Sequence, residues 1–346
     1  MMADDRRREI PETGGKAESL RIAAFEVRDD ERQSFDDEAR RLGVEVALHE
    51  EKLEPGNAAM AEGFDGVSTL GLSRLDSSLL ETLAGQGVKV VATRTVGYNH
   101  IDLAAAKKLG IAVLNADYAP NGVAEYAVMF MLMVLRNYKP SLWRGQVYDF
   151  SLKGLRGREL RNLTVGVMGT GRIGATVIRC LTGFGCRILA YDPHPNDAVA
   201  NHAEYVDLET LYRSSDIITL HMPLLPSTEH IINRDTIARM KDGVVLINCA
   251  RGGLMDLEAL IDNIESEKIG GLGLDTVETE EDLIHRDRRT DILTNRGVAY
   301  LRQFPNVVMT QHMAFYTDAA VHSMVNCSVE GIRSVLDTGT FRTRIA

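Results

Sequence analysis

The sequence predicts an α/β protein of two Rossmann-like or flavodoxin-like domains with parallel sheets, and three observations predict it. Short β-branched runs alternate with amphipathic stretches along the chain, the pattern of strands joined by crossover helices. One such run leads directly into a glycine-rich turn at Gly169–Gly174. The alternation also breaks at Pro120 and Gly122 and starts again at Leu163, which leaves two α/β sets in 346 residues, a length that fits about two domains.

In the first set, Leu20–Glu26 reads as a strand and Asp30–Leu42 as a helix ended by Gly43. Val44–Leu48, Phe64–Leu70, Val88–Thr93 and Ile111–Leu114 follow as strands, with helices at Ser77–Leu83 and Leu103–Leu109. A helix over Val123–Asn137 is apolar all round, so it is expected between layers rather than on a surface. Gly145–Arg161 reads as a polar connection. The second set has strands at Thr164–Met168, Arg187–Tyr191, Ile217–His221, Val244–Asn248, Gly271–Leu274 and Val307–Thr310. Its helices are Ile173–Thr182, Leu208–Arg213, Arg234–Met240 and Leu257–Ser266. Six strands with helices between them match a dinucleotide-binding sheet.

Composition narrows the partners. The chain is 45% hydrophobic and 25% charged, as in ordinary soluble globular proteins. Its 39 Lys and Arg stand against 49 Asp and Glu, a net charge of −10, which argues against nucleic acid or an anionic membrane as main partner. That balance does not exclude a small anionic substrate, because a local arginine outweighs a distant field. Cys180, Cys186, Cys249 and Cys327 form no CxxC pair or Cys/His cluster, so no metal and a reducing, cytoplasmic home are expected. The first 18 residues are polar, a frayed tail rather than a signal peptide. The apolar run Tyr126–Leu135 is about half of what a membrane span needs.

The glycine-rich turn carries the first chemistry. Gly169 allows a tight turn, Gly171 lets backbone approach a pyrophosphate, and Gly174 lets helix and strand pack closely. The following helix start offers N–H groups and a positive dipole end to phosphates, and Arg172 adds a charge. Eighteen residues beyond Gly174, at the end of the next strand, stands Asp192. A carboxylate there accepts from ribose hydroxyls and repels a 2′-phosphate, which favours NAD over NADP. His194 nearby reads as a solvated loop residue.

Three further motifs follow strands of the same set, where ligands of such sheets bind. Arg251, in Asn248-Cys-Ala-Arg251-Gly-Gly, offers a fork that holds a carboxylate and polarises an adjacent carbonyl. The acidic run Asp275-Thr-Val-Glu278-Thr-Glu280-Glu281 would by itself be a solvated loop. His312, beside a carboxylate, suits a general acid, since the negative charge favours imidazolium.

With these motifs the chain resembles the D-isomer-specific 2-hydroxyacid dehydrogenase family from about residue 20 to 335. GTGRIG, Asp192, DIITLHMPL, NCARGG, LDTVETE and HMAFYT carry the resemblance. RTVGYNHID at Arg94–Asp102, VAEYA at Val123–Ala127 and the long stretch between Glu280 and Pro305 are similar to its D-lactate dehydrogenase branch, which includes an enzyme of vancomycin-resistance clusters. The resemblance implies that Arg251 binds the substrate carboxylate and carbonyl, that His312 is the acid/base, and that Glu280, five residues past Asp275, is its partner. It places Arg172 and Ile173 on the pyrophosphate and Met222 and Pro223 near the adenosine. Thr228, Cys249 and Ala250 would line the cofactor, and Asp275 would meet the nicotinamide end. Val96 and Gly97 would cradle the carboxylate through backbone N–H groups, and Tyr118 and Phe315 or Tyr316 would border the substrate, with Leu70 and Leu72 as further candidates for pocket size.

What is implied is NAD-dependent reduction of a pyruvate-like 2-keto acid to the D-2-hydroxy acid. Bulkier branched or aromatic 2-keto acids are an alternative, and so is an NADH-sensing corepressor-like role. A homodimer is implied by the family and by the apolar helix near Val123–Asn137. The expected domains are 1–119 with 313–346, returning through a helix around Asp318–Leu336, for substrate, and 120–312 for NAD, with the active site in the cleft between. Two departures stand out: Gln311-His312-Met313 where the family has Pro-His-Thr, and Cys249-Ala250 in place of small hydroxyl residues before the arginine.

Overall fold

The computed structural model describes residues 19–280 and 283–346. The polar tail and Glu281 of the acidic run therefore lie outside the described residues. The chain divides into two compact units, one running to Tyr118 and resuming at Val321–Ala346, the other Ala119–Ala320.

Unit 1 begins with β1 (Arg21–Ala24), α1 (Arg32–Leu42), β2 (Glu45–Leu48) and β3 (Gly66–Thr69). It continues with α2 (Ser77–Gly85), β4 (Val90–Thr93), α3 (Leu103–Leu109) and β5 (Ala112–Leu114). The strands form one parallel sheet in the order β2-β1-β3-β4-β5, a flavodoxin-like order. The central strands β3 and β4 are buried at every residue, which explains their near-continuous apolar sequence. Local signals set the helix ends. The side chains of Asp76 and Asp102 accept N–H bonds from Leu79 and Ala105, and α1 stops where Gly43 turns left-handed at φ +63°.

A buried ion pair ties this sheet together. Arg94 directly follows β4 and, like Glu31, is fully buried. Its Nε donates to Glu31 Oε1 at 2.8 Å, Nη1 to Ser68 Oγ at 2.9 Å, and Nη2 to the carbonyls of Phe25 and Glu26 at 3.0 Å each. The guanidinium also lies 5.2 Å from the Phe35 ring centre.

Unit 2 opens with α4 (Asn121–Leu135), α5 (Tyr138–Gln146), β6 (Thr164–Met168), α6 (Arg172–Thr182), β7 (Arg187–Tyr191) and β8 (Glu204–Tyr205). Then come α7 (Leu208–Ser214), β9 (Ile217–Leu220), α8 (Arg234–Ala238), β10 (Val244–Asn248), α9 (Leu257–Glu265), β11 (Ile269–Leu274), α10 (Arg296–Leu301) and β12 (Val307–Met309). The sheet order is β12-β11-β10-β9-β6-β7-β8, all parallel, the doubly wound order whose switch point lies between β6 and β9. As its even apolarity implies, α4 is buried along most of its length. Glycines in β11 let it come close: a Cβ on Gly271 would stand 2.4 Å from Val134 Cγ1, and one on Gly273 2.8 Å from Phe130 Cβ.

Several elements differ from the sequence expectation. The six expected strands of this sheet are seven, because the two-residue edge strand β8 is too short to show a period. α10 lies in the long stretch after Glu280, and α5 occupies the start of what reads as a connection. Lys139 on α5 donates to the carbonyls of Arg302, Phe304 and Val307 at 2.7, 2.8 and 2.7 Å. Burial, with Arg302 nearby, pushes its pKa down to about 8. The connection after α5, polar in most of its residues, also exposes Val147, Tyr148, Phe150 and Leu152. Residues 313–320 group with unit 2, where Met313 and Ala314 donate N–H bonds to Asp275.

The last helix, α11 (Asp318–Thr338), brings Val325, Val329 and Ile332 onto one face of the unit 1 sheet against Ile22, Phe35 and Leu114. Removing one partner of the buried pair beneath that face strands a charge. Glu31→Ala is expected to destabilise unit 1 by about 3–5 kcal/mol. Hydrogen exchange of the β1 and β4 amides reads this directly, and unchanged protection there would contradict it.

Candidate active site

Register puts the motifs of unit 2 on one line. Tyr191 pairs with Met168, Met168 with Leu220, Leu220 with Asn248, Asn248 with Leu274 and Leu274 with Met309. Six strands therefore end level, and each motif leaves from that edge. Asp192 follows β7, Gly169 follows β6, and His221–Met222–Pro223 follow β9. Arg251 leaves β10, Asp275–Glu280 leave β11, and His312 leaves β12.

The glycine turn is as tight as its sequence requires. Gly169 sits at φ +92°, and a Cβ there would lie 2.6 Å from the His221 carbonyl oxygen. A Cβ on Gly174 would lie 1.9 Å from the Gly169 oxygen, whereas one on Gly171 would meet nothing within 4 Å. Two glycines thus pack the turn onto β9 and α6, and the third leaves its backbone open to a ligand. Arg172, exposed, and Ile173 begin α6 at this point.

Asp192 is fixed by backbone N–H groups. Its Oδ2 accepts the Thr170 N–H at 2.7 Å and its Oδ1 the His194 N–H at 2.9 Å. His194 is exposed, as expected, but its backbone orients this carboxylate. Beside the turn lies His221, which the sequence reading did not single out. Burial pushes its pKa down to about 3. Its Nε2 pairs with Thr219 Oγ1 at 2.9 Å, and its buried Nδ1 has no partner. A neutral imidazole with an unused nitrogen, an open glycine backbone and a fixed carboxylate fit a dinucleotide. Thr228 is spent on loop shape: its Oγ1 donates to the Pro223 carbonyl at 2.7 Å and accepts the Leu225 N–H at 2.8 Å.

The expected histidine–glutamate pair is in contact. His312 Nδ1 lies 2.8 Å from Glu280 Oε1, and Glu280 Oε2 accepts the Val277 N–H at 2.8 Å. His312 itself sits at φ +56°, a conformation a non-glycine residue holds only when its surroundings impose it. Asp275 imposes it. Only 1% exposed, it accepts Thr310 Oγ1 at 2.6 Å, Met313 N–H at 2.8 Å and Ala314 N–H at 2.8 Å. The two residues after His312 are thereby tied to the end of β11. Tyr126 of α4 extends this network by bonding Thr310, and burial raises its phenol pKa. Neither Tyr126 nor Thr310 was foreseen; Thr310, two residues before the histidine, is the one with a signal in the sequence.

Arg251 occupies the next strand end. Its Nη1 donates to the Ala250 carbonyl at 2.6 Å, and its own carbonyl accepts from Asn248 Nδ2 at 2.8 Å. Cys249 is buried between strand and loop, and burial, with Asp275 nearby, pushes its thiol well above the usual range. It is an apolar packing group here. Phe315 and Tyr316 follow the histidine, with ring centres 6.0 Å apart.

The remaining candidates, Val96, Gly97 and Tyr118, belong to unit 1 and follow β4 and β5. The carbonyls of Val96 and Gly97 accept from Asn115 Nδ2 at 2.8 Å and Thr95 Oγ1 at 2.6 Å. The first bond fixes the peptide that carries the Gly97 N–H. Leu70 and Leu72 flank a loop held by Glu26, whose carboxylate accepts the N–H groups of Gly71, Leu72 and Ser73 at 2.9, 2.8 and 2.7 Å. Among the described residues, no group of three His, Cys, Asp or Glu side chains is arranged to hold a metal ion.

The charge at Asp192 makes a direct prediction. Catalysis with NADH exceeds that with NADPH, and Asp192→Asn, which keeps an acceptor, narrows the ratio of kcat/KM values by about fivefold to tenfold, since it removes a like-charge repulsion of about 1 kcal/mol. Equal activity of the wild type with both dinucleotides would refute this.

Comparison with known proteins agrees with the geometry. Residues 128–314 match the family described as D-isomer specific 2-hydroxyacid dehydrogenase, NAD binding domain. The chain is 42% identical over 327 residues to the aromatic 2-oxoacid reductase of Clostridium sporogenes, covering 94% of this chain and 99% of that one. The solved structure of a D-2-hydroxyisocaproate dehydrogenase superposes with a TM-score of 0.85 at 36% identity, covering 94% and 99% of the two chains. A D-lactate dehydrogenase from Treponema pallidum gives 0.84 at 33%, covering 94% and 100%. With the dinucleotide turn, the arginine loop and the histidine–glutamate pair on one sheet edge, the chain belongs to the D-isomer specific 2-hydroxyacid dehydrogenase family and is an NAD-dependent oxidoreductase of D-2-hydroxy acids.

Proposed function

We propose that Arg251, Glu280 and His312 carry out the reaction, and that the 2-oxo acid they reduce has a bulky, aromatic or branched side chain. The observation that carries the roles is the 2.8 Å contact of His312 with Glu280, on the strand ends next to the Arg251 loop. The Arg251 fork pairs with the substrate carboxylate and draws electron density onto the carbonyl oxygen. His312 gives that oxygen a proton from Nε2, while Glu280 at Nδ1 keeps the ring oriented. NADH, when bound, supplies the hydride to the carbonyl carbon. The turn at Gly169–Gly174, Arg172, Asp192 and His221 are the residues proposed to hold it.

The substrate reading rests on rings beside the acid. His285 has its ring centre 6.4 Å from that of His312 and 6.3 Å from that of Phe315, and its Nε2 lies 3.3 Å from the His312 carbonyl oxygen. With Tyr316 these rings make an aromatic wall that favours a planar side chain over a methyl group. The aromatic 2-oxoacid reductase named above, at 42% identity, supports the same choice, over the pyruvate-like substrate expected from the sequence. An assay of NADH oxidation against pyruvate, 2-ketoisocaproate and phenylpyruvate tests it. The bulkier acids are expected to give the higher kcat/KM, and Arg251→Ala to lower it for all three by about 10²–10³-fold. A preference for pyruvate would sink the substrate assignment, and an undiminished Arg251→Ala the roles.

The same proposal includes a homodimer in a reducing, cytoplasmic setting. The four cysteines are free thiols, and among the described residues no helix is long and apolar enough to cross a membrane. The helix that suggested an interface in the sequence, α4, is buried within its own unit. Exposed apolar surface lies instead just beyond it, at Leu142, Trp143, Val147, Tyr148, Phe150 and Leu152, the last 84% exposed. A monomer leaving so many large apolar groups in water is unusual, and a second copy is the occupant that fits. Sedimentation equilibrium is expected to show a dimer that Tyr148→Glu with Phe150→Glu dissociates; a wild-type monomer would dispose of it.

A further inference from the structure

Among the described residues, two histidine–glutamate pairs stand in unit 2, and only one belongs to the proposed proton-transfer site. The second is His230 Nε2 to Glu278 Oε1, at 2.7 Å. Its place in the fold is specific. The Arg251 loop continues into a short turn at Gly252–Leu254, and that turn is packed on two sides. On one side, Gly252 touches the segment after β11: a Cβ there would lie 2.2 Å from Val277 C and 2.4 Å from Glu278 N. On the other, the segment between β9 and α8 bonds to it, His230 N–H to the Gly253 carbonyl at 2.9 Å and Ile232 N–H to the Leu254 carbonyl at 3.1 Å. His230 and Glu278 join these two flanking segments to each other. The remaining Glu278 oxygen accepts the Leu257 N–H at 3.3 Å, at the start of α9. His230 is itself fixed at φ +47°, with its carbonyl accepting from Asn233 Nδ2 at 2.9 Å.

We propose that the His230–Glu278 pair is a clamp that positions Arg251, so that its integrity sets how well the enzyme binds the carboxylate of its 2-oxo acid. The inference rests on the reading of Arg251 given above. His230 and Glu278 touch neither substrate nor nicotinamide in this account; they are positioning residues. The clamp also titrates. Glu278 facing the ring raises the His230 pKa, with Asp256 at the start of α9 and the neighbouring Glu229 adding to it against partial desolvation; the bracketed loop's own cation is Arg251. The charged pair is complete below the ordinary histidine range and is lost as pH rises through the raised value.

The test separates binding from chemistry. In wild-type enzyme, KM for phenylpyruvate should rise on the alkaline side between about pH 6 and pH 9. His230→Gln keeps a donor but no titratable ring, and should flatten that dependence. His230→Phe should raise KM about tenfold at neutral pH, less than the roughly 10²-fold that a guanidinium misplacement of about 1 Å costs. In both variants NADH binding, read by fluorescence, should stay within about twofold of wild type, and Glu278→Gln should reproduce the rise in KM. If His230→Phe fails to fold, His230→Gln and Glu278→Gln decide. Wild-type KM and pH dependence in these variants would overturn the clamp. If Arg251→Ala also leaves KM unchanged, the reading of Arg251 has failed; if it raises KM and they do not, the clamp alone has.

Discussion

A parallel strand ends in peptide N–H groups that have no further strand to bond, and this constraint governs both sheets of the protein. Such groups need acceptors, or the loops that carry them stay loose. The acceptor used here, time after time, is a carboxylate. Glu26 takes the N–H groups of the Gly71–Ser73 loop. Asp192 takes those of Thr170 and His194. Asp275 takes Met313 and Ala314, Glu280 takes Val277, and Glu278 takes Leu257. Charge-assisted bonds of this kind are about twice as strong as neutral ones. Loops built this way behave less like connectors than like extensions of the sheet. That is what a site needs when its geometry is worth several orders of magnitude in rate.

The strained histidine shows what this anchoring achieves. A left-handed histidine costs of order 1–3 kcal/mol, and the two bonds from the following residues to a buried Asp275 cover it. The carboxylate that the resemblance assigns to the nicotinamide end is thus also the support of His312, the proposed acid/base group. Position 313, methionine where the family has threonine, contributes its backbone to this support rather than its side chain.

Much of this was legible in the sequence because period and punctuation are local. Gly43 ends α1, Asp76 and Asp102 start helices, and the strand–turn–helix around Gly169 is where its glycines place it. What escaped depends on groups far apart in the chain. Nothing near Arg94 marks it as fully buried; its partner Glu31 is 63 residues away. The Glu278 partner is His230, 48 residues distant, so an acidic run that reads as solvated hides three carboxylates with different duties. The exposed apolar residues after α5 were read as a polar connection because its glycines and charges outnumber them. The two-residue β8 and the six-residue α10 are too short to carry a period of their own.

The segment Val277–Glu280 is where these threads meet. Residues two apart in an extended stretch share a face, yet Glu278 and Glu280 serve different partners, because Thr279 between them turns left-handed at φ +63°. That turn is itself held: Asn295 Nδ2 donates to the Thr279 carbonyl at 3.0 Å and to its hydroxyl at 2.6 Å. One carboxylate then reaches back to the flank of the Arg251 loop and the other forward to His312. On the proposed roles of Arg251 and His312, four residues therefore gauge the distance between the group that holds the substrate's carboxylate and the group that protonates its carbonyl. In a 2-oxo acid those two functions are adjacent carbons whatever side chain follows. On those roles, side-chain specificity can vary with the surrounding rings while this spacing stays fixed, carried by backbone and paired carboxylates.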